Sequence, residues 1–429
     1  MLGDFWLVVR WWGTLFFVGG AAFPITKRLF EGWFDDGYFF SKAVGMAVVT
    51  YLVYLAGTVH VLPFSSATIF VALVAVFFTG VLLKDKEDKK DKRDRLMIFF
   101  LEEIFFFVAL LFWSWIKAHE PSIHGLEKFM DFGFMKSILN TTYFPAPDMW
   151  YAGQGINYYY FGHVVTAVLT KLSGIDLAYT FNLMLATIFA ITLTMSFSIG
   201  KQLTRGVGGA LLTAFLVTLA GNMQTIYAFT KGYVGDNVQP FWKLGWDLGG
   251  MKTYWYANAT RFIPYTIHEF PGYSFVVSDV HGHVLSLPFV LLAIALLLHF
   301  FSKLETRNSK LFFVFYGFLV GVLLMTNALD GPIYFALLGA VLVIQNSKFK
   351  IQNLKTIGSV ALVAFLTSMP FLVHFKSFVS GVAVNCPPSF LANTKIGPLI
   401  FETVEKCQHS PIWMMLLLWG FFLYCGSVL

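Results

Sequence analysis

The chain has 429 residues, of which 57% are hydrophobic, 13% are charged and 49 are phenylalanine. A soluble fold of this length needs more polar surface, since about 25% of the residues of an average soluble domain are charged. The composition therefore excludes a cytosolic enzyme, a disordered chain and a disulfide-stapled secreted domain. The formal charge of +6 does not indicate nucleic-acid binding, because the basic residues lie in short gaps between apolar runs.

Apolar runs long enough to cross a bilayer follow one another along the whole chain. A helix needs about 20 apolar residues to cross the hydrocarbon core. The runs lack the two-residue alternation of a membrane barrel, so we predict an all-α fold, a polytopic transmembrane helix bundle with about 11 spans. The predicted spans are 4–24, 43–62, 67–84, 97–116, 177–199, 207–228, 284–301, 311–328, 332–346, 356–374 and 411–428.

The first predicted domain, 1–96, contains three spans and a charged run at 84–95, KDKEDKKDKRDR. Basic residues in short loops favour the cytoplasm, so we place this run there. Alternation of the spans then puts four other basic connections on the same side: 26–28, 201–205, 302–310 and 345–355. The second predicted domain, 97–429, carries three long outer loops: 117–176, 229–283 and 375–410. We expect these loops to fold together on the extracytoplasmic face of the plasma membrane.

The first outer loop contains two carboxylates four residues apart. Residues 126–139 have helical periodicity, which puts Glu127 and Asp131 on one helix face. Repulsion between them near a low-dielectric boundary raises the pKa of one carboxyl and suits it to general-base catalysis. The alternative interpretation is a wetted helix face, with Lys128 and Lys136 nearby.

Aromatic and polar residues follow in the same loop. Flat aromatic faces with hydroxyl groups suit stacking on sugar rings, although interfacial Tyr and Trp are also ordinary membrane-belt residues. Three consecutive tyrosines point around a helix, which one belt does not explain. We interpret 158–173 as a helix that lies at the membrane interface. The candidate substrate-binding residues of this loop are Asp148, Trp150, Tyr158, Tyr159, Tyr160 and His163.

The second outer loop adds a cation and a set of metal-ligand types. Arg261 is the best fixed cation for a phosphate, and the alternative is an arginine that reaches lipid headgroups. His268 and Glu269 are further substrate-binding candidates. The spacing Asp279-x-His281-x-His283 supplies oxygen and nitrogen ligands for a divalent metal (Mg, Mn or Zn), and an extended segment would point all three to one side. A plain hydrogen-bonding cluster is the other interpretation.

The C-terminal part is less informative. Asp330, where one predicted span follows another, is expected to cap a helix. Cys386 and Cys407 allow one disulfide bridge, and Cys425 lies in an apolar run. The last apolar run lacks a basic flank, so we expect that the chain continues beyond Leu429 in the whole protein.

Several of these segments together resemble a known group. The stretches EKFMDF, FPAPDMWYAG, INYYYFGH, EFPGYSF, SDVHGHVLSLPF and TNALDGP, in this order over about 120–332, resemble the uncharacterised integral membrane proteins called the YYY family. That family is grouped with the GT-C superfamily of membrane glycosyltransferases. The sequence departs from the family pattern at Met149 and Gly282, where proline is common.

The resemblance implies a GT-C-like fold, a polyprenyl-phosphate sugar donor and an inverting transfer outside the membrane. In that superfamily a catalytic carboxylate follows the first core helix, and here Glu127, followed by Asp131, has that place after the 97–116 span. The resemblance therefore implies that these acids are catalytic, with membrane lipid and a lipid-linked sugar as partners and an acceptor that stays unknown.

The rival prediction is a transporter or lipid flippase with a polar outer vestibule. Transporters place ionisable residues near the middle of the bilayer. The predicted spans carry few charges in their middle parts and the acids gather in the outer loops, so we favour an outward-facing enzyme.

Overall fold

The fold is described from a computed structural model that covers residues 2–82, 92–233, 238–252, 254–263, 266–302, 309–345, 351–376 and 410–428. Most of the charged run at 84–95 and of the third outer loop, with Cys386 and Cys407, lies outside these residues. Within them the chain forms 15 α-helices, which confirms the all-α prediction. The helices of the first half are α1 (Leu2–Leu29), α2 (Tyr38–Thr58), α3 (Ser66–Leu82), α4 (Lys92–Ala118), α5 (Lys128–Asn140), α6 (Phe161–Ser173), α7 (Leu177–Thr204) and α8 (Val207–Thr218).

The second half contains shorter elements before the last membrane helices. Its α-helices are α9 (Pro271–Val277), α10 (Gly282–Leu285), α11 (Leu287–Ser302), α12 (Ser309–Thr326), α13 (Asp330–Gln345), α14 (Ile351–Leu372) and α15 (Ile412–Val428). Four 3₁₀ helices precede them, at Met223–Phe229, Phe241–Lys243, Leu248–Lys252 and Tyr256–Thr260.

The prediction of 11 spans is wrong. Among the described residues, six helices are long and apolar enough to cross a membrane, or seven if Val207–Thr218 and Met223–Phe229 form one bent span. The six are Gly3–Leu29, Tyr38–Thr58, Arg95–Ala118, Leu177–Thr204, Gly282–Ser302 and Asn353–Leu372. The chain is nevertheless an integral multi-pass membrane protein.

Part of the difference is a matter of length, because several apolar runs form helices that are shorter than the roughly 20 residues that a span needs. Four apolar helices have only 10–17 residues: Ser66–Leu82, Lys310–Thr326, Asp330–Ile344 and Ile412–Val428. The predicted span 207–228 is interrupted after Thr218, where Asn222 caps a new 3₁₀ helix by accepting a hydrogen bond from the backbone N–H of Gln224 (3.0 Å). A capped break of this kind cannot be read from hydropathy.

By packing, the chain falls into two units. The first comprises Met1–Thr218 and Ser274–Phe375, and the second comprises Leu219–Tyr273 and Lys376–Leu429. The division into 1–96 and 97–429 concerns function and stays a prediction.

Helix α7 forms the centre of the first unit, where it contacts α4, α6, α8 and α11. Asp176 caps its start by accepting from Ala178 N (2.8 Å), and Arg205 ends it in the left-handed conformation. A helix surrounded by protein is apolar on all sides, and two of its buried threonines donate to their own backbone, Thr187 to Leu183 O and Thr194 to Ala190 O. Thr187 also accepts from the indole of Trp11 (2.7 Å), which ties α1 to α7.

Helix α6, predicted as an interfacial segment, has 13 residues and is almost entirely buried. It contacts α1, α2, α3, α5 and α12, and Gly174 ends it in the left-handed conformation. Its depth in a membrane stays a prediction. Its role in the fold is to present its first turn, at His163, to the N-terminal half of α5.

The second unit has its own small core of Tyr227, Phe262, Met414 and Leu417. Helix α15 contacts the 3₁₀ helix Met223–Phe229 in this unit.

Candidate functional site

Three segments far apart in the chain meet around one buried carboxylate in the first unit. Asp131 lies in the first turn of α5 and is fully buried. Its Oδ1 accepts hydrogen bonds from Nε2 of His163, at the start of α6 (2.8 Å), and from Nδ1 of His281, which caps α10 (3.2 Å). We call Glu127, Asp131, Tyr158, His163, Asp279 and His281 the Asp131 cluster.

Glu127 is the accessible acid of this cluster. Its Oε2 lies 3.3 Å from Nδ1 of His281, and its side chain is 64% exposed. The sequence interpretation of a wetted helix face therefore fits Glu127, which precedes α5, and does not fit Asp131. The two carboxylates differ in their surroundings although they are four residues apart.

Backbone strain precedes two of the acids. Leu126, before Glu127, has φ 49°, and Ser278, before Asp279, has φ 62°. Non-glycine residues rarely adopt positive φ, and such residues gather at functional sites. Both turns direct an acid toward the start of a helix, α5 and α10 respectively.

His281 joins the buried carboxylate to a phenol. Its Nε2 accepts a hydrogen bond from the Tyr158 hydroxyl (2.5 Å), while its Nδ1–H points to Asp131. The ring of Phe134 packs against both Tyr158 and His163, which excludes water from one side of the cluster. Carboxylate, imidazole and phenol thus form a chain of hydrogen bonds through which a proton can move.

The sequence predicts a raised pKa for one of the two acids, Glu127 or Asp131, and Asp131 is not that acid. Burial by itself raises the pKa of the Asp131 carboxyl, but the hydrogen bonds and charges of His163 and His281 outweigh it, so the pKa lies below its ordinary value. For His281, burial lowers the pKa, and Asp131, Asp279 and Glu127 together raise it above the ordinary value. Asp131 therefore acts as a fixed negative charge behind the imidazole.

The segment 279–283 is not extended, contrary to the sequence prediction. His281 caps a short helix in which His283 lies, so their side chains have different surroundings. Nε2 of His283 lies 3.7 Å from Oδ2 of Asp279, whereas His281 faces Asp131. One ligand atom each from Asp131, Asp279 and His281 lie within 4.8 Å of one another, and this group is able to hold a metal ion.

The three consecutive tyrosines have three different surroundings. Tyr158 belongs to the Asp131 cluster, and Tyr159 packs on Phe375 with ring centroids 4.8 Å apart. Tyr160 is buried, and its hydroxyl lies 3.4 Å from that of Tyr54 on α2. Of these three tyrosines, which were predicted to stack on a sugar, Tyr158 and Tyr159 are partly exposed and Tyr160 is not.

Asp148 and Trp150 belong to a turn beside the cluster. Oδ1 of Asp148 accepts from the backbone N–H of Trp150 and of Tyr151 (both 2.8 Å), so the carboxylate builds the turn. Trp150 is 64% exposed, and its ring lies 6.3 Å from that of Phe134. A role for either residue in binding a substrate stays a prediction.

Arg261, His268 and Glu269 lie in the second unit. Nη2 of Arg261 pairs with Glu269 (3.5 Å), and Nη1 donates to Thr260 Oγ1 (2.8 Å). Burial, followed by the charge of Arg261, lowers the pKa of His268. The predicted contact of Arg261 with a phosphate stays a prediction.

Sequence reasoning missed a second polar cluster, which lies inside the spans. Nζ of Lys42 on α2 forms a buried ion pair with Glu103 on α4 (2.5 Å), and Glu102 is also buried. Glu103 accepts from the Trp12 indole and the Tyr38 hydroxyl as well (both 2.7 Å). Glu102 lies about 10 Å along the helix from Arg95, so α4 carries two acids inside a span. That the middle parts of the spans carry few charges stays a prediction. The signal was available in the adjacent pair Glu102-Glu103 within an apolar run.

The sequence profile of a family described as "Uncharacterized membrane protein (DUF2298)" matches residues 48–429. The chain belongs to this family. No curated protein and no solved structure matches it significantly. The predicted membership of an uncharacterised family of membrane proteins is confirmed, and the grouping with GT-C glycosyltransferases stays a prediction.

Proposed function

We propose that this protein is a membrane glycosyltransferase that moves a sugar from a polyprenyl-phosphate donor to an acceptor, with inversion, at the Asp131 cluster. One observation supports the proposal above all: an exposed carboxylate, Glu127, lies beside a buried Asp131–His281 pair at the starts of α5 and α10. Acid–base groups arranged in this way suit group transfer from a donor whose isoprenoid tail stays in lipid.

In the proposed reaction a hydroxyl of the acceptor attacks C1 of the donor sugar. Glu127 takes the hydroxyl proton while the bond between C1 and the phosphate oxygen breaks, and the electron pair of that bond leaves with the polyprenyl phosphate. Glu127 is the base because its side chain is 64% exposed, whereas Asp131 is fully buried and out of reach of an acceptor. A general base of this kind contributes about 10²–10⁴-fold to a rate.

Asp131 and Tyr158 have supporting roles in this proposal. Asp131 fixes the orientation of His281 through the 3.2 Å hydrogen bond and stabilises the charged imidazolium. When His281 is an imidazolium, its Nε2–H donates to the oxygen of Tyr158, and the Tyr158 hydroxyl then donates to the phosphate that leaves. The extracytoplasmic position of the site belongs to the same proposal and rests on the bias of Lys and Arg among the loops.

The test uses purified protein in liposomes with synthetic short-chain polyprenyl-phosphate mannose, glucose, galactose and N-acetylglucosamine, each supplied in turn with membranes as the acceptor source. We expect wild-type protein to release polyprenyl phosphate from one of them, and Glu127→Gln to release it at least 100-fold more slowly. Glu120→Gln, an exposed acid of the same loop, is the matched control and keeps the wild-type rate. Undiminished release by Glu127→Gln would refute the base, and no release by wild type would refute the function.

A transporter or lipid flippase is the second candidate, and the buried Lys42–Glu103 pair favours it. Ionisable residues inside membrane spans are costly and commonly mark transport pathways. The two candidate functions predict opposite effects for the variants Glu127→Gln and Lys42→Gln. A transferase loses turnover in Glu127→Gln and keeps it in the folded fraction of Lys42→Gln, whereas a transporter loses uptake of its substrate into liposomes in Lys42→Gln and keeps it in Glu127→Gln.

A further inference from the structure

The Asp131 cluster contains ligand types and spacings that suit a divalent metal. One carboxylate oxygen of Asp131, one of Asp279 and one nitrogen of His281 lie within 4.8 Å of one another. Ligands at about 2.0–2.2 Å from a zinc ion stand about 3.4 Å apart in a tetrahedron. Nδ1 of His281 and Oδ1 of Asp131, at 3.2 Å, are close to that separation, so a metal ion would replace the proton of the hydrogen bond between them.

A second observation points into the same place. Oδ2 of Asp131 is buried and has no hydrogen-bond partner among the described residues, although Oδ1 accepts two hydrogen bonds. A buried carboxylate oxygen without a partner is unfavourable, because the loss of its hydration is not compensated by a hydrogen bond. A cation bound to Oδ2 removes this cost.

The balance of charge also favours a cation. Glu127, Asp131 and Asp279 bring three carboxylates to the surroundings of His281. Oε2 of Glu127 and Oδ1 of Asp131 lie 3.3 Å and 3.2 Å from its Nδ1, and an oxygen of Asp279 lies within 4.8 Å of ligand atoms of Asp131 and His281. Lys128 is a positive neighbour of Asp279. The carboxylates outnumber this one lysine, and a divalent ion offsets the excess negative charge.

We propose that Asp131, Asp279 and His281 bind one divalent transition-metal ion, Zn²⁺ or Mn²⁺, with a fourth position that is open on the side of the exposed Glu127. The imidazole favours these ions over Ca²⁺ and Mg²⁺, which prefer oxygen ligands only. Three protein ligands and an exposed fourth position are typical of a metal site that also binds a substrate oxygen. Asp131 replaces His283 in the ligand set that the sequence suggested. The proposal is independent of sugar transfer, because binding is measured without a substrate.

The experiment uses the full chain, purified in detergent and freed of metal with a chelator. Titration with ZnCl₂ and with MnCl₂ is followed by calorimetry, and the metal content after gel filtration is measured by mass spectrometry. We expect one ion per chain, and at least a tenfold weaker affinity in Asp279→Asn and in His281→Gln. His124→Gln and Glu120→Gln remove an exposed histidine and an exposed acid of the same loop as controls, and they keep the wild-type affinity.

A thermal shift covers the case in which the ligand variants fail to fold. The metal raises the melting temperature of the wild-type protein if it binds the folded chain, and the rise grows with the logarithm of the metal concentration. No stoichiometric metal and no thermal shift in the wild type would overturn the proposal. So would unchanged affinity in Asp279→Asn and His281→Gln, or a loss of binding in His124→Gln alone.

Discussion

Two buried carboxyls of the first unit show how the surroundings of one residue decide its charge. Asp131 faces two imidazoles, which lower its pKa despite burial. Asp35, between α1 and α2, is equally buried, but it accepts from the neutral groups Gly37 N (2.9 Å) and Ser198 Oγ (3.3 Å). For Asp35 the effect of burial wins and raises the pKa from 3.8 to about 6.

Asp35 therefore gives a pH dependence with a definite sign. Its carboxyl binds a proton more tightly in the folded state than in the unfolded state, so its contribution to stability is greatest below pH 3.8 and falls as the pH rises to about 6. Asp35→Asn imitates the protonated form. We expect the variant to gain up to about 3 kcal/mol relative to wild type between pH 4 and pH 7, measured by thermal unfolding in detergent.

The control for this prediction is Glu31→Gln, an exposed acid close by in the chain. Glu31→Gln should change the melting temperature only slightly, and by the same amount at pH 4 and at pH 7. A constant difference between Asp35→Asn and wild type from pH 4 to pH 7 would show that the Asp35 carboxyl stays charged.

The acids and His281 were predictable as candidates from their types and their place in the outer loops, but their hydrogen bonds were not. The bond between His163 and Asp131 depends on how α5 packs on α6, and hydropathy carries no information on that packing. The predicted metal ligands Asp279, His281 and His283 do not point to one side for a similar reason, since Gly282–Leu285 forms a helix instead of the predicted extended segment.

The buried Lys42–Glu103 pair ties α2 to α4. Removing one member of a buried pair leaves an uncompensated charge, and this costs about 3–5 kcal/mol. We expect Lys42→Met to lower the melting temperature strongly and Lys42→Met with Glu103→Gln to recover most of the loss, both measured in detergent. If Lys42→Met is as stable as wild type, the pair does not hold these helices together.

Gly162 allows α6 to approach α10 closely, next to His163. A Cβ at this position would lie 2.6 Å from Leu285 Cβ and 3.2 Å from Thr326 Cγ2. Gly162→Ala should therefore destabilise the protein by about 1–3 kcal/mol through overpacking, and Leu285→Ala should give little rescue because alanine keeps the Cβ that is 2.6 Å away. Thermal unfolding measures both effects.

The matched control for this close approach is Gly358→Ala on α14, where a Cβ would meet nothing within 4 Å. Alanine favours a helix over glycine, so this variant should be as stable as wild type or up to about 1 kcal/mol more stable. An equal loss of stability in both variants would mean that the contact with Leu285 is unimportant.

The helical nature of each apolar run was evident from the sequence, whereas the number of spans was not. Helices α3, α13 and α15 are apolar, but their described parts have only 10–17 residues, fewer than the roughly 20 that a span needs. The break between α8 and Met223–Phe229 depends on the cap at Asn222, and capping is a local hydrogen bond that a hydropathy window averages out.

For the molecule as a whole, we propose that the loop with Glu120 lies outside the cell and the charged run at 84–95 lies inside. Chemical labelling of intact cells tests this orientation. In a background without the three native cysteines, Glu120→Cys should react with a membrane-impermeant maleimide if its loop lies outside, as we propose. Lys89→Cys in the charged run should react only after the cells are broken. Reaction of Lys89→Cys in intact cells, with protection of Glu120→Cys, would invert the orientation.

In the proposed function, the Asp131 cluster acts on a lipid-linked sugar inside the living cell. Mass spectrometry can measure the polyprenyl-phosphate sugars extracted from cells that carry, in place of the native gene, wild type, Asp131→Asn or Glu120→Gln at equal protein levels. We expect one such lipid to accumulate several-fold with Asp131→Asn and to stay at the wild-type level with Glu120→Gln. Identical lipid pools in the three strains would mean that the cluster does not act on these lipids.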